Sequence, residues 1–411
     1  MIRELRALLG RFSGLRRSAR WAWGLSRDLP RRCRFQNIRA LQRWSGRPVG
    51  SYASAGAYFN AHPAQGWVKA VRPHGTYARS APRPHGGALP LGFSPPQRVY
   101  WPPEEVIHIA GARYAGAYGG SLITHDENLL GGYAPDVWGL ERHALLGVFK
   151  LPPAVALPGV TAVISTPEAD TNYSHWLMDL LPRLTLLADA GFGPECVDRY
   201  LINFGGHPYE RETLAACGLT AEKCYAVTPR SHLRLEFAVS AALRPAHWQH
   251  TLPPWVPDKL RSILLPSSPD PDRRRRLYLS RRAASFRRVI NEAELIPILT
   301  EFGFEVIDPG HLSVGAQAAC FANAAAIISP HGSALTNLAF IPRGTPVLEV
   351  FAPDYIDVSF WTLATAVGAE YHACMGTRVG PQRNLTIEAR RQDLKLEPLV
   401  LREFLNHRFG R

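Results

Sequence analysis

The feature that most constrains this chain is a run of alternating strand and helix patterns from Arg276 to Phe351. Arg276 to Ser280, Phe304 to Asp308, Ala324 to Ser329 and Pro346 to Phe351 are apolar runs of strand length. Between them, Asn291 to Phe302, Ser313 to Ala322 and Ser333 to Phe340 read as helices, the first opened by an Asn-x-x-Glu capping arrangement of Asn291 and Glu294. Strands separated by crossover helices pair in parallel, so the spacing predicts a Rossmann-like sheet with helices on both faces.

The 411 residues suggest two or three domains at roughly 150 each. A composition 46% hydrophobic and 20% charged excludes a disordered or fibrous chain. Breaks in composition predict a basic leader at 1–47, a Pro/Gly-rich linker or docking segment at 48–98 and an N-terminal domain at 99–255. They also predict a proline- and charge-rich linker at 256–276, a C-terminal Rossmann-like domain at 277–375 and a tail at 376–411. The leader holds thirteen arginines against Glu4 and Asp28, a net +11 of the chain's +13, which leaves +2 for the other 364 residues. The body therefore offers no strongly basic face. Ile2, Leu5, Leu8, Leu9, Phe12 and Leu15 recur at helical spacing opposite those arginines, with Trp21 and Trp23 following. Such a helix suits an anionic membrane surface, and equally a helix packed on the body or a basic tail. No nucleic-acid module follows it, so nucleic acid is not an expected partner. Arginines interrupt the apolar stretch a secretory signal needs, and the six scattered cysteines form no C-x-x-C pair. The expectation is a cytoplasmic protein, with the inner membrane face as a peripheral site.

Three constellations carry chemistry. In Asn172-Tyr173-Ser174-His175-Trp176-Leu177-Met178-Asp179, a helix opening near Ser174 places His175, Asp179 and Arg183 at i, i+4 and i+8 on one stripe, and Pro182 would kink or shorten it. A His and a carboxylate one turn apart can take a proton from a substrate hydroxyl; alone, the stripe fits a surface ladder of ion pairs as well. His331-Gly332-Ser333, after a buried strand and before a helix, leaves turn amides open to an anion, or is a tight turn capped by Ser333. It lacks the G-x-G-x-x-G and P-loop fingerprints. Arg281 and Arg282 end one strand, with Arg287 and Arg288 before the next helix; at a strand end Arg281 suits a diphosphate, although runs of arginine are often simply solvated. Glu349, at the end of the Val347 strand, is placed to hold a pair of sugar hydroxyls.

Taken together, Asn172 to Asp179 with Pro182-Arg183, Leu277 to Arg282, Arg288 to Glu292, Pro330 to Asn337 and Pro342 to Glu349 resemble, in order and spacing, the family 61 glycosyltransferases, often of the bacterial capsular polysaccharide type. Where the family usually carries Gly-Ala or Ala-Gly after His-Gly, this chain has Ser333-Ala334. The resemblance implies an α/β, GT-B-like architecture of two Rossmann-like lobes with a central cleft, to which this chain adds its basic N-terminal extension. It further implies an inverting transfer from a nucleotide-sugar donor to a glycan acceptor, without an obligatory metal or other cofactor. Asp179 or His175 would be the base. Arg281, His331, Gly332, Ser333, Asn337 and Glu349 would bind the donor, with Asn172, Arg183 and Arg288 in support. The alternatives are a non-catalytic, membrane-associated carbohydrate- or nucleotide-binding protein and a GT-B-like nucleotide-sugar epimerase.

Overall fold

The computed structural model describes residues 44–89, 92–93, 98–135, 139–242, 252–265, 274–381 and 386–410; the leader up to residue 43 lies outside them. Two sheets organise the chain. In the first, β1 (Glu104–Ala110), β2 (Val155–Val163), β3 (Arg199–Ile202), β4 (Cys224–Ala226) and β5 (His232–Ala241) run in the order β1-β5-β2-β3-β4. All pairs from β5 to β4 are parallel, and β1 is antiparallel to β5. Five short strands, among them Gly50–Tyr52 and Gly66–Arg72, widen this sheet to ten.

The second sheet is the one the alternating pattern predicts. Its strands β6 (Arg275–Leu279), β7 (Phe304–Ile307), β8 (Ala324–Pro330), β9 (Pro346–Phe351) and β10 (Glu370–Met375) lie in the order β7-β6-β8-β9-β10, all parallel. Both faces are covered, which explains the continuous apolar runs. Leu277, Ile327 and Val347 point into a large apolar cluster that also contains Val106, Ala162 and Trp176 of the first sheet's side, so one core joins the two sheets. Tyr278, Ile328 and Leu348 point the other way, against Leu401, Phe404 and Leu405. The chain runs from β6 outward to β7, then returns to β8 on the far side of β6. The order of strands therefore reverses between β6 and β8, which is where open parallel sheets form their ligand crevice.

Several expected boundaries differ. The 48–98 segment is built into both sheets, since Arg83–His85 adds a sixth parallel strand beside β10. Within the expected 256–276 linker, α1 (Trp255–Leu264) forms and buries Val256, Leu260 and Leu264; Pro254 and Pro257 fall at its N-cap and first turn, where a missing N–H costs nothing. The expected 376–411 tail supplies α2 (Pro398–Phe409), which covers the outer face of the second sheet. Asn291 does not cap its helix: its side chain instead bonds Leu396 O and Leu396 N, stapling this C-terminal segment to the sheet. No helix among the described residues is long and apolar enough to cross a membrane.

Candidate active site

The Asn172 segment follows β2 and packs against the turn and helix after β8. Asn172 Oδ1 caps the helix start by accepting from Ser174 N (2.9 Å), and it also accepts from Ser333 Oγ (3.1 Å). Tyr173 OH donates to Asn337 Oδ1 (3.2 Å), and Ser174 Oγ bonds Thr336 Oγ1 (2.7 Å). Three successive residues thus tie this helix to the turn after β8.

The expected kink at Pro182 is absent, because the chain widens before it. Helix Tyr173–His175 passes into a π-helical turn, Trp176–Leu180, and then into helix Leu181–Asp189. Leu181 N–H reaches back five residues to Trp176 O, so the helix continues past a proline that cannot donate. The extra residue breaks the stripe. His175 and Asp179 still meet, Nδ1 to Oδ2 at 2.6 Å, but Arg183 turns inward. Its guanidinium is buried and donates to Ser165 O, Ser240 Oγ and Ala241 O, holding the ends of β2 and β5 rather than a ligand.

His175 is also 3.4 Å, through Nε2, from Glu168 Oε2. Burial of the ring opposes its charged form. The hydrogen bonds and charges of Asp179 and Glu168 outweigh that, and they raise the His175 pKa to about 10. At neutral pH the ring is therefore an imidazolium clasped by two carboxylates. A ring held charged in this way is a poorer proton acceptor than the neutral imidazole that the sequence reading offered as an alternative to Asp179. Glu168, which sequence reasoning passed over, adopts a backbone φ of +60°, an unfavourable region for a side-chain-bearing residue and one that clusters at working sites. The signal available was its position in the turn directly after a parallel strand.

Across the crevice, Arg281 follows β6 and Gly332 follows β8. Gly332 has an extended backbone (φ 174°), so its role is space: a Cβ there would lie 2.0 Å from Arg281 Nη1. Arg281 donates through Nη2 to Phe286 O (3.1 Å), while its Nε is buried with no acceptor among the described residues. Arg287, at φ +56°, donates to His331 O (3.1 Å) and Arg390 O (3.0 Å). Burial, and then repulsion from Arg287, lower the Arg281 pKa to about 10, and burial lowers that of Arg287 as well. Among the described residues no carboxylate pairs with either guanidinium within salt-bridge distance, an arrangement that suits an anion.

The remaining predicted donor residues sit behind this surface. His331 N–H is taken by Val350 O (2.9 Å), and its Nδ1 meets Glu349 Oε1 at 2.5 Å. Glu349 is 0% exposed, and its other oxygen accepts from Tyr371 OH. It therefore orients His331 and does not face a ribose, contrary to the sequence expectation. Burial raises its pKa despite those partners. Asn337 is also fully buried, bonded to Tyr173, Gln317 and Ala334 O, so it joins the two halves without reaching a ligand. Arg288 pairs outward with Asp393 (2.7 Å) and anchors the C-terminal segment. His175 meets Asp179, Asn172 meets Ser333 and Gly332 lies against Arg281, whereas Arg183, Arg288, Asn337 and Glu349 are taken up by other groups of the protein. Among the described residues, no three His, Cys, Asp or Glu side chains gather as a metal site.

A family model described as Glycosyltransferase 61 matches residues 173–348, from the Tyr173 helix into β9. The match spans 176 of the 411 residues and makes this region similar to glycosyltransferase family 61. The match supports a glycosyltransferase enzyme, a family that implies nucleotide-sugar donor and glycan acceptor substrates; it takes in His175, Asp179, Arg281 and Gly332 and begins just after Glu168 and Asn172. No curated protein matches the chain.

Proposed function

We propose that this glycosyltransferase works as a GT-B-type enzyme, its two sheets serving as acceptor-side and donor-side lobes, and that it transfers with inversion. Surface polysaccharide synthesis in the cytoplasm is the setting the sequence resemblance suggests. One observation carries the mechanism: the anion-seeking pair Arg281 and Arg287 around Gly332 lies at the strand reversal of the parallel sheet, and Asn172 bonds that turn to the helix bearing His175 and Asp179.

The donor diphosphate occupies the turn after β8. Its oxygens meet Arg281, Arg287 and the amides of Gly332 and Ser333, since that of His331 is already used. The acceptor hydroxyl oxygen attacks the anomeric carbon from the opposite face. The new carbon–oxygen bond forms as the bond to phosphate breaks, and the leaving diphosphate carries the electron pair toward the guanidinium groups. The hydroxyl proton passes to Glu168. This carboxylate is half exposed, whereas Asp179 is 14% exposed and has its Oδ2 committed to the ring. Asp179 and the His175 imidazolium hold Glu168 in place.

A donor screen followed by kinetics tests this. Glu168→Gln should lower kcat by about 10²- to 10⁴-fold with little change in affinity for the free nucleoside diphosphate, and Arg281→Ala should lose that affinity. A near-normal kcat in Glu168→Gln would overturn the assignment of the base. Binding without turnover on any donor, or isomerisation of the free donor, would overturn the transfer itself.

A further inference from the structure

At the end of β2 away from the crevice, the surface is apolar and open to water. Residues 147–156 read Gly-Val-Phe-Lys-Leu-Pro-Pro-Ala-Val-Ala, and Lys150 is the only polar side chain among them. Phe149 is 79% exposed and Val155 56%, and residues 152–154 and Ala156 are exposed as well. Trp44, 51% exposed, joins them: its ring meets that of Phe149 edge-on with centroids 5.4 Å apart, and Lys150 Nζ stands 4.3 Å from the indole centre. Such side chains ordinarily go inside, and a contiguous apolar patch left in water marks a contact surface.

The patch is held in place from beneath. Leu151 N donates to Ser45 O (2.7 Å), which joins its two segments. The buried Arg113 donates through Nη1 to Gly46 O (2.7 Å) and to His232 Nε2 (2.8 Å), and His232 Nδ1 in turn donates to Pro152 O (2.6 Å). Pro152 and Pro153 stiffen the loop further, because each fixes its own φ. The charge has one sign. Residues 44–50 and 147–156 contain no acid, only Arg47 and Lys150. Glu127, alongside through its carbonyl bond to Val49 N (2.8 Å), is paired with Arg113.

We propose that this patch docks the folded body on an anionic lipid surface, with Trp44 and Phe149 entering the interface and Lys150 meeting the headgroup phosphates. Charge selects the occupant. The leader, +11 over residues 1–47, joins the body at Trp44, so folding it back over Lys150 and Arg47 would set like charges together. A second copy meeting this patch by two-fold symmetry would do the same. An anionic membrane attracts leader and patch alike, and aromatic rings beside cations are what settles at the boundary of lipid and water. The nine residues of β2 span about 26 Å at roughly 3.3 Å per step, so a membrane on this patch leaves the crevice at the far end open to water. The proposal extends to the folded body what sequence suggested for the leader alone, and it does not draw on the donor reading.

The test is flotation of the full chain with vesicles of phosphatidylcholine alone and of phosphatidylcholine mixed with phosphatidylglycerol, alongside light scattering of the protein by itself. The parent should float with the mixed vesicles only. Phe149→Ser removes a side chain that is mostly in water, so its urea midpoint should match the parent's. Its partition onto mixed vesicles should fall roughly ten-fold, and that of Lys150→Gln about five-fold. Leu399→Ser, at a leucine 68% exposed on α2, should float as the parent does. Flotation of Phe149→Ser equal to the parent's would overturn the proposal even where the leader itself binds, and so would equal losses in Phe149→Ser and Leu399→Ser. A parent that scatters as a dimer and a Phe149→Ser that scatters as a monomer, with vesicle binding unchanged, would overturn it by giving the patch to a second copy.

Discussion

The clasped imidazolium makes a measurable demand on pH. Lifting the His175 pKa from 6.5 to about 10 corresponds, at 1.36 kcal/mol per unit, to roughly 4 kcal/mol of stability at pH 7. The sign follows from the direction of the shift. A group whose folded pKa is raised contributes fully below its unfolded value, so the contribution is complete below about pH 6.5 and fades as pH rises through 10. Across that window the unfolding free energy should fall by about 1 kcal/mol for each pH unit attributable to this one residue. The assay is urea unfolding of the parent and His175→Gln at several pH values between 6 and 10, alongside ¹³C-edited NMR of the histidine Cε1 protons. The variant should be less stable at pH 6.5, and the difference should shrink toward pH 10. The His175 resonance, assigned by its loss in the variant, should not titrate below pH 9. Ordinary titration between pH 6 and 7, or a stability difference independent of pH, would refute the argument that two carboxylates hold this ring charged.

Other outcomes follow from the same contacts. Gly332→Ala places its methyl where Arg281 Nη1 lies, so nucleotide affinity measured by titration should drop as far as in Arg281→Ala, with no further loss in the double variant. Arg183→Met leaves Ser165 O, Ser240 Oγ and Ala241 O without their buried donor and should cost about 3 kcal/mol in urea unfolding. Glu349→Ala strands two buried donors, His331 Nδ1 and Tyr371 OH, and should cost about 3 kcal/mol, against about 1 for Tyr371→Phe. Removing the leader, residues 1–47, tests the anionic membrane surface that its arginine-rich helical pattern suits: flotation with anionic vesicles should be lost, and unchanged flotation would refute that expectation.

The second sheet was legible because its information is local. β8 and β9 are short, almost wholly buried runs with no exposed face to blur the pattern, and each crossover between the strands is of helical length. The His175 to Asp179 pair was legible for the same reason, since four residues along a helix is a contact sequence can count. What sequence missed depends on where separate elements end. Glu168 and His175 are seven residues apart across a strand-to-helix turn, a spacing with no period. Arg281 faces Gly332 because β6 and β8 are neighbours, and Asp308 stands beside Arg281 because β7 took the other edge of β6. The misplacement of Glu349 has the same origin. Its position at a strand end suggested a ligand, but β9 lies between β8 and β10, so His331 and Tyr371 reach the carboxylate first from either side. In this sheet an acidic side chain on a central strand is captured by its neighbours, whereas one just past the end of β7 caps the following turn.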